Sequence, residues 1–431
     1  MKASETAEQV ARRCYGRLVA YLAAHWRDLA AAEDAVGDAL QAALETWPRT
    51  GIPRKPEAWL LTVARHKLVD ESRREHSREQ IAETLSLITG KAGDETTNLF
   101  PDERLKLLFV CAHPAIDAAV HIPLMLQTVL GVETARIASA FLVAPSAMSQ
   151  RLVRAKAKIR DAGIPFEVPE QQQLAARLDS VLAALYVAYG AGWEEIAGAD
   201  PGEPDLVDEV LWLARLIVEL LPDEPEAKGL LALMLYCEAR RPARRAPDGT
   251  FVPLSAQDTK LWSRTMLAEA ETLLFAASRV RRLGRFQLEA AIQSAHAERA
   301  WGGQVDWAAI VRLYEGLLTV APSVGASLGH AAAVAESQGA ERALALLEDI
   351  PQQRVANHQP YWALRGHLLM SVNRPLEAWQ AYERAIVFTE DRAIGCFLAD
   401  RLVGAMEQFW DEALERLRQE IERAKRQRVR P

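Results

Sequence analysis

Residues Leu124–Asp161 read LMLQTVLGVETARIASAFLVAPSAMSQRLVRAKAKIRD. The run divides into helix, turn and helix. Thr134 can cap a short helix over Ala135–Phe141, in which Ile137, Ala138 and Phe141 share a face. Leu142-Val143-Ala144-Pro145 breaks that pattern, because proline cannot continue a helix interior but suits a first turn. A second helix therefore opens at Pro145 or Ser146, with Met148, Leu152, Val153 and Ile159 as its apolar seam. Its other surface carries Ser146, Ser149, Gln150, Arg151, Arg154, Lys156, Lys158 and Arg160, with no acidic residue from Ser146 to Arg160. A helix that enters a major groove needs cations for phosphates, and short polar and amide side chains near its start for base edges. The plainer reading of such a helix is a solvated basic face. The tight turn and the small-residue helix before it favour DNA binding.

The rest of the chain makes that helix stand out. The 431 residues carry a net charge of −7 and are half apolar, which suits two or three domains and argues against a nonspecific nucleic-acid coat. Alanine- and leucine-rich segments with helical periodicity, and no strand-rich segment, predict an all-α fold. No apolar run reaches membrane-spanning length, and MKASETAEQVARR at the start lacks the apolar centre of a signal peptide. The expectation is a cytoplasmic protein that does not engage membranes. Its four cysteines, Cys14, Cys111, Cys237 and Cys396, are widely spaced and read as reduced thiols.

Toward the N-terminus, Val10, Cys14, Leu18, Tyr21 and Leu22 define a first helix. A second helix over Leu29–Trp47 places Ala35, Val36, Ala39, Leu40 and Ala43 on one side and Glu33, Asp34 and Asp38 on another. Pro48, Gly51, Pro53 and Pro56 predict a break. In KPEAWLLTVARHKLVDESRRE, Trp59, Leu60, Val63 and Leu68 point inward, while Arg65, His66, Lys67, Arg73 and Arg74 point elsewhere. A basic groove with stacking surfaces is what a melted strand requires. Trp47 and Trp59 could supply the stacking, although both sit at helical spacing on apolar faces, where core packing is the plainer role.

EDAVGDAL, the proline-broken turn and EAWLLTVARHKLVDESRRE together resemble region 2 of an extracytoplasmic-function sigma factor of the sigma-70 family. The basic hairpin at Leu124–Asp161 is similar to region 4 of the same family. The resemblance implies a sigma region 2 bundle over 1–76, a linker over 77–102 and a region 4 helix-turn-helix over 103–168. It also implies core RNA polymerase and promoter DNA as partners. Glu33, Asp34, Asp38 and Leu40 would dock on the β′ clamp helices, and region 4 on the β flap. Trp59, Arg65, His66, Lys67, Arg73 and Arg74 would hold the melted −10 element. Ser146, Ser149, Gln150, Arg151, Arg154, Lys156 and Lys158 would read the −35 major groove. Gly37 and Leu40 stand where the family pattern has Gln and Phe. SREQIAETLSLITGKAGDETTNLFPD, with its weak periodicity and polar character, suits the linker.

Beyond the Gly163–Pro169 break, the chain reads as helical hairpins from 169 to 431. These include predicted helices at Ala256–Ala277, Trp307–Val320, Val324–Gln338, Tyr361–Val372, Leu376–Thr389 and Arg392–Arg418. Trp362, Gly366 and Leu369, followed by Ala378, Tyr382 and Ala385, are spaced as in a tetratricopeptide unit, with weaker copies at Trp307/Tyr314 and Leu328-Gly329/Ala343-Leu344. The whole chain thus resembles extracytoplasmic-function sigma factors carrying a tetratricopeptide-like C-terminal domain. That resemblance implies control of activity in cis and a protein partner for the extension. Asp248-Gly249-Thr250-Phe251 and Gly190-Ala191-Gly192-Trp193 depart from the subgroup's usual motifs; by composition, Asp248-Gly249 is a turn signal.

No nucleophile–base pair, phosphate-cradling glycine loop or metal cluster is visible in the sequence, so neither enzyme activity nor a cofactor is expected. Cys111 and His113 lack a second ligand pair at zinc spacing and read as core residues. The basic end RLRQEIERAKRQRVR reads as a solvated helix. The alternative reading of the chain is a one-component helix-turn-helix regulator whose repeat domain binds a ligand or protein. Such a regulator would have no use for the region 2-like segment, and would ordinarily need dimer symmetry.

Overall fold

Capping and chain-breaking residues set where the helices begin and end. The computed structural model describes residues 3–75, 102–141, 143–195, 205–389 and 391–428. These form nineteen α-helices, with no strand among the described residues beyond an isolated Arg245–Phe251 bridge. The chain divides into two compact units. The first comprises 1–193 and 202–217, and the second 194–201 and 218–431.

The first unit begins with a three-helix bundle of α1 (Ala3–Trp26), α2 (Leu29–Thr50) and α3 (Pro56–Glu75). Asp28 caps α2, its Oδ1 accepting from the Ala31 amide at 3.0 Å. The predicted break at Pro48 is displaced: α2 runs through the proline and ends at Gly51, whose φ of 87° lies in the left-handed region. Pro48 is tolerated because it falls in the last turn, where the carbonyl it would have bonded belongs to exposed Leu44. Leu18, Leu22, Val36, Trp47 and Leu60 fill the bundle core.

A second bundle in the same unit contains α4 (Arg104–Cys111), α5 (Ala118–Thr128), α6 (Thr134–Ala140) and α7 (Pro145–Asp161). Asp117 caps α5 through the Ala119 amide, and Pro145 occupies the first turn of α7. Thr134 does not act as the expected cap. Its Oγ1 accepts from Gln127 Nε2 at 2.8 Å, and Glu133 holds the cap position without a side-chain bond. The seam of α7 is Met148, Leu152, Ala155 and Ile159; Val153, expected inside, is 63% exposed. The correction follows from helix geometry, since steps of four, three and four keep one stripe while Val153 lies off it.

Two further helices complete this unit, α8 (Gln171–Glu195) and most of α9 (Asp205–Leu220), so it extends past residue 169. Arg177 of α8 donates to the Phe109 carbonyl at 3.3 Å. Buried His121 lies 3.2 Å from Ser180 Oγ and 3.1 Å from the Ile116 carbonyl. Arg104, 5% exposed, pairs with Asp102 and with Glu209 of α9, and stacks 4.9 Å from the Trp212 ring. The predicted linker falls, apart from Asp102, outside the described residues.

The second unit contains α10 (Pro225–Ala239), α11 (Arg264–Ser278), α12 (Arg285–Ala297), α13 (Trp307–Val320), α14 (Val324–Gln338), α15 (Ala340–Glu348), α16 (Gln352–Val355), α17 (Gln359–Ser371), α18 (Pro375–Val387) and α19 (Arg392–Arg428). Successive helices pack as pairs, and α12–α19 surround one apolar core that includes Ile310, Leu328, Leu344, Tyr361, Leu369, Tyr382 and Leu398. The helix expected from Ala256 starts only at Arg264. Residues 254–256 and 259–261 are single 3-10 turns, and Ser263 caps α11 by accepting from the Met266 amide. The N-terminus of α12 is capped from another helix. Glu226 accepts from the Phe286 and Gln287 amides at 2.9 and 3.2 Å, and a Cβ on Gly284 would overlap its carboxylate.

Candidate nucleic-acid interface

The helix α7 presents its polar residues on two flanks. Its buried stripe turns inward, and Ser146, Ser149, Gln150, Arg151, Arg154 and Lys158 are exposed. Arg151, Arg154 and Lys158 edge a cleft of about 470 Å³ whose opposite wall is formed by Ala115–Asp117 and Ala119–Val120, at the start of α5. The arrangement sets three cations across from Asp117, whose carboxylate already caps the start of α5.

The other flank of α7 faces α2. There Lys156 forms a salt bridge with Glu33, both side chains being 11% exposed, and Arg160 lies 3.8 Å from Asp28. Lys156 was expected to meet DNA and Glu33 to meet polymerase; here they are spent on each other. Burial pushes the Glu33 carboxyl above its ordinary range, and the neighbouring Lys156 ammonium only partly offsets this. Glu33 Oε1 is buried without a hydrogen-bond partner. Asp34 and Asp38 are exposed on α2, and Leu40 is half-buried.

On α3 the expected DNA-binding residues divide by environment. His66 and Lys67 are exposed, Lys67 forming a 3.1 Å surface pair with Asp38. Arg65 turns into the bundle, donating to the Tyr21 hydroxyl at 2.6 Å with its guanidinium 5.2 Å from that ring. Trp59 is half-buried and packs edge-on against buried Trp47, their ring centroids 5.6 Å apart. The side chains of Arg73 and Arg74 lie outside the described residues.

Sequence reasoning missed Gly16. A Cβ at this position of α1 would sit 2.0 Å from the Val129 carbonyl oxygen, so the two bundles meet backbone to backbone. A glycine within an otherwise helical run was the signal available. Cys111 is buried 3.6 Å from Thr128 Oγ1, and burial pushes its thiol up to about 12. His113 is half-buried, and among the described residues no group of three or more potential ligands could hold a metal. No helix among them is long and apolar enough to cross a membrane.

Comparison with known proteins places two segments in families. Residues 10–78, which span most of α1–α3, match sigma-70 region 2, and residues 177–278 match a family of unknown function, DUF6596. The chain is 39% identical over 385 residues to "Uncharacterized protein R00370" of Rhizobium meliloti (strain 1021), covering 88% of this chain and 90% of the relative. No solved structure matches.

Proposed function

This chain belongs to the sigma-70 family, and we propose that it is an extracytoplasmic-function sigma factor whose fused helical domain adjusts its activity. Sigma-70 family factors are regulatory proteins that bind RNA polymerase. The observation carrying the fuller reading is that the region 2 match falls on a folded three-helix bundle with Asp34 and Asp38 exposed on one helix and His66 and Lys67 on the next. In this reading exposed Asp34 and Asp38, with Leu40 beside them, dock on the β′ clamp helices of core polymerase, while Glu33 is held by Lys156. Trp59, His66, Lys67, Arg73 and Arg74 hold the melted −10 strand, while Arg65 supports them from beneath. The α7 helix acts as region 4: Ser146, Ser149 and Gln150 read −35 base edges, and Arg151, Arg154 and Lys158 take the flanking phosphates, while Lys156 is held by Glu33. The second unit is a tetratricopeptide-like array that engages a protein partner.

Run-off transcription by the full chain with core polymerase and a promoter library tests this. Specific initiation is expected, with Asp34→Lys/Asp38→Lys losing core binding. Failure of the full chain to bind core polymerase or to initiate would overturn it, and the one-component regulator would then lead.

A further inference from the structure

The last helix outruns the helix it packs on. The N-terminal half of α19 lies against α18, with Leu398 and Ala405 buried. Gln408 Nε2 then donates to Asn373 Oδ1 at 2.6 Å, in the turn just before α18. About twenty residues of α19 follow Gln408, or about 30 Å of helix. Val403, Met406, Trp410 and Leu414 are between 43 and 57% exposed, and steps of three, four and four put them on one stripe. The sequence repeats these steps at Leu417 and Ile421. A helix draws most of its stability from packing its apolar face, and a long apolar stripe left in water marks an interaction surface. Charge indicates what covers it. Along one edge of the stripe, Asp400, Glu407 and Asp411 are exposed in the first half of the helix, and Arg418 is 77% exposed in the second. In the sequence, Lys425 stands one heptad beyond Arg418. That edge therefore changes sign midway. A parallel copy would set like charges side by side, whereas an antiparallel copy sets each acidic half against a basic one.

We propose that α19 pairs antiparallel with α19 of a second copy of this chain, so that the two apolar stripes bury each other. The register that brings Trp410 opposite Leu414 of the second copy also brings Glu407 opposite Arg418 of the second copy. Each contact occurs twice about a two-fold axis, and an isologous contact of this kind closes at two chains. Arg418 lies 3.8 Å from Glu415 in a solvent-exposed pair that contributes little, so exchanging that partner for Glu407 of the second copy is cheap. Desolvation of the tryptophan and leucine supplies the affinity, and the charges set orientation and register. The pairing does not depend on the sigma reading.

Sedimentation equilibrium of the full-length chain tests it. A mass of twice 47.7 kDa is expected at micromolar concentration, falling to that of one chain on dilution. Trp410→Glu/Leu414→Glu should hold the mass at one chain. Both side chains are already exposed, so this variant should keep its cooperative thermal transition. Glu407→Arg and Arg418→Glu should each weaken association about tenfold, since each places like charges opposite one another twice. An equimolar mixture of these two variants should recover wild-type association, because the mixed pair sets every cation against a carboxylate; misfolding would not produce that rescue. A chain that stays at 47.7 kDa would overturn the pairing and leave the stripe to a different protein. A dimer that survives Trp410→Glu/Leu414→Glu would place the interface elsewhere, and a mixture that fails to recover would overturn the antiparallel register.

Discussion

Gly366 lies against the ring of Tyr382, where a Cβ would come within 2.9 Å of Cδ1 and Cε1. The contact joins α17 to α18 and leaves no slack for a larger residue. Gly366→Val should destabilise the second unit by about 2 kcal/mol through overpacking. A Cβ on Gly404 of α19 meets nothing within 4 Å, so Gly404→Ala should instead stabilise by about 0.5–1 kcal/mol through helix propensity. Thermal unfolding of both variants checks the contrast.

His296 couples the second unit to pH. Burial, reinforced by Arg240 and Arg299, lowers its pKa from 6.5 to about 4. The folded chain therefore holds the imidazole neutral where the unfolded chain would protonate it. The resulting stability is present in full above pH 6.5 and is lost as pH falls through 4. At full burial the swing would reach about 3 kcal/mol. Denaturant titrations should show stability declining over that window, and His296→Gln should flatten the decline.

Arg151 and Arg154 are exposed on the flank of α7 away from α2. Replacing either with Ala should weaken −35 duplex binding across sequences and reduce the salt dependence by about one per residue, without lowering the melting temperature. Gln150→Ala should instead relax base preference. Fluorescence anisotropy against salt concentration separates the two effects.

Arg65 and Lys67 should part company. Arg65→Ala removes the bond to the Tyr21 hydroxyl and should cost the first unit about 1–2 kcal/mol. Lys67→Ala loses only a half-exposed pair with Asp38, so its effect should fall on promoter opening and leave stability within about 0.5 kcal/mol. Unfolding curves and permanganate footprinting read the two outcomes.

The thiols should differ in reactivity. Cys14 and Cys111 are fully buried, and burial pushes both up to about 12, whereas Cys396 is exposed. Alkylation of the native protein at pH 8 should modify Cys396 and spare the other two. Rapid labelling of Cys111 would show that the bundle opens.

Local signals in the sequence carried much of the fold. Pro145 marks a helix start, and the stripe of Met148, Leu152 and Ile159 was readable because helical periodicity is a short-range property. Val153 misled because hydrophobicity does not say which face a residue occupies, and Ala155 fills the seam instead. The candidate site was legible as chemistry but not as pairing. Lys156 and Glu33 are 123 residues apart, and Arg65 and Tyr21 are 44 apart. A cation destined for DNA and one spent on a neighbour look alike until the chain has folded.

The bonds from Arg177 to the Phe109 carbonyl and from His121 to Ser180 tie α8 to α4 and α5. Residues after 169 are therefore a wall of the second bundle as well as an appendage to it. A chain cut near residue 170 would expose Phe109 and His121 to water and lose a supporting surface for α5. Loss of activity on such a cut would not identify the extension as an activator; it would show that the second bundle and the first helix of the extension form one foldable unit.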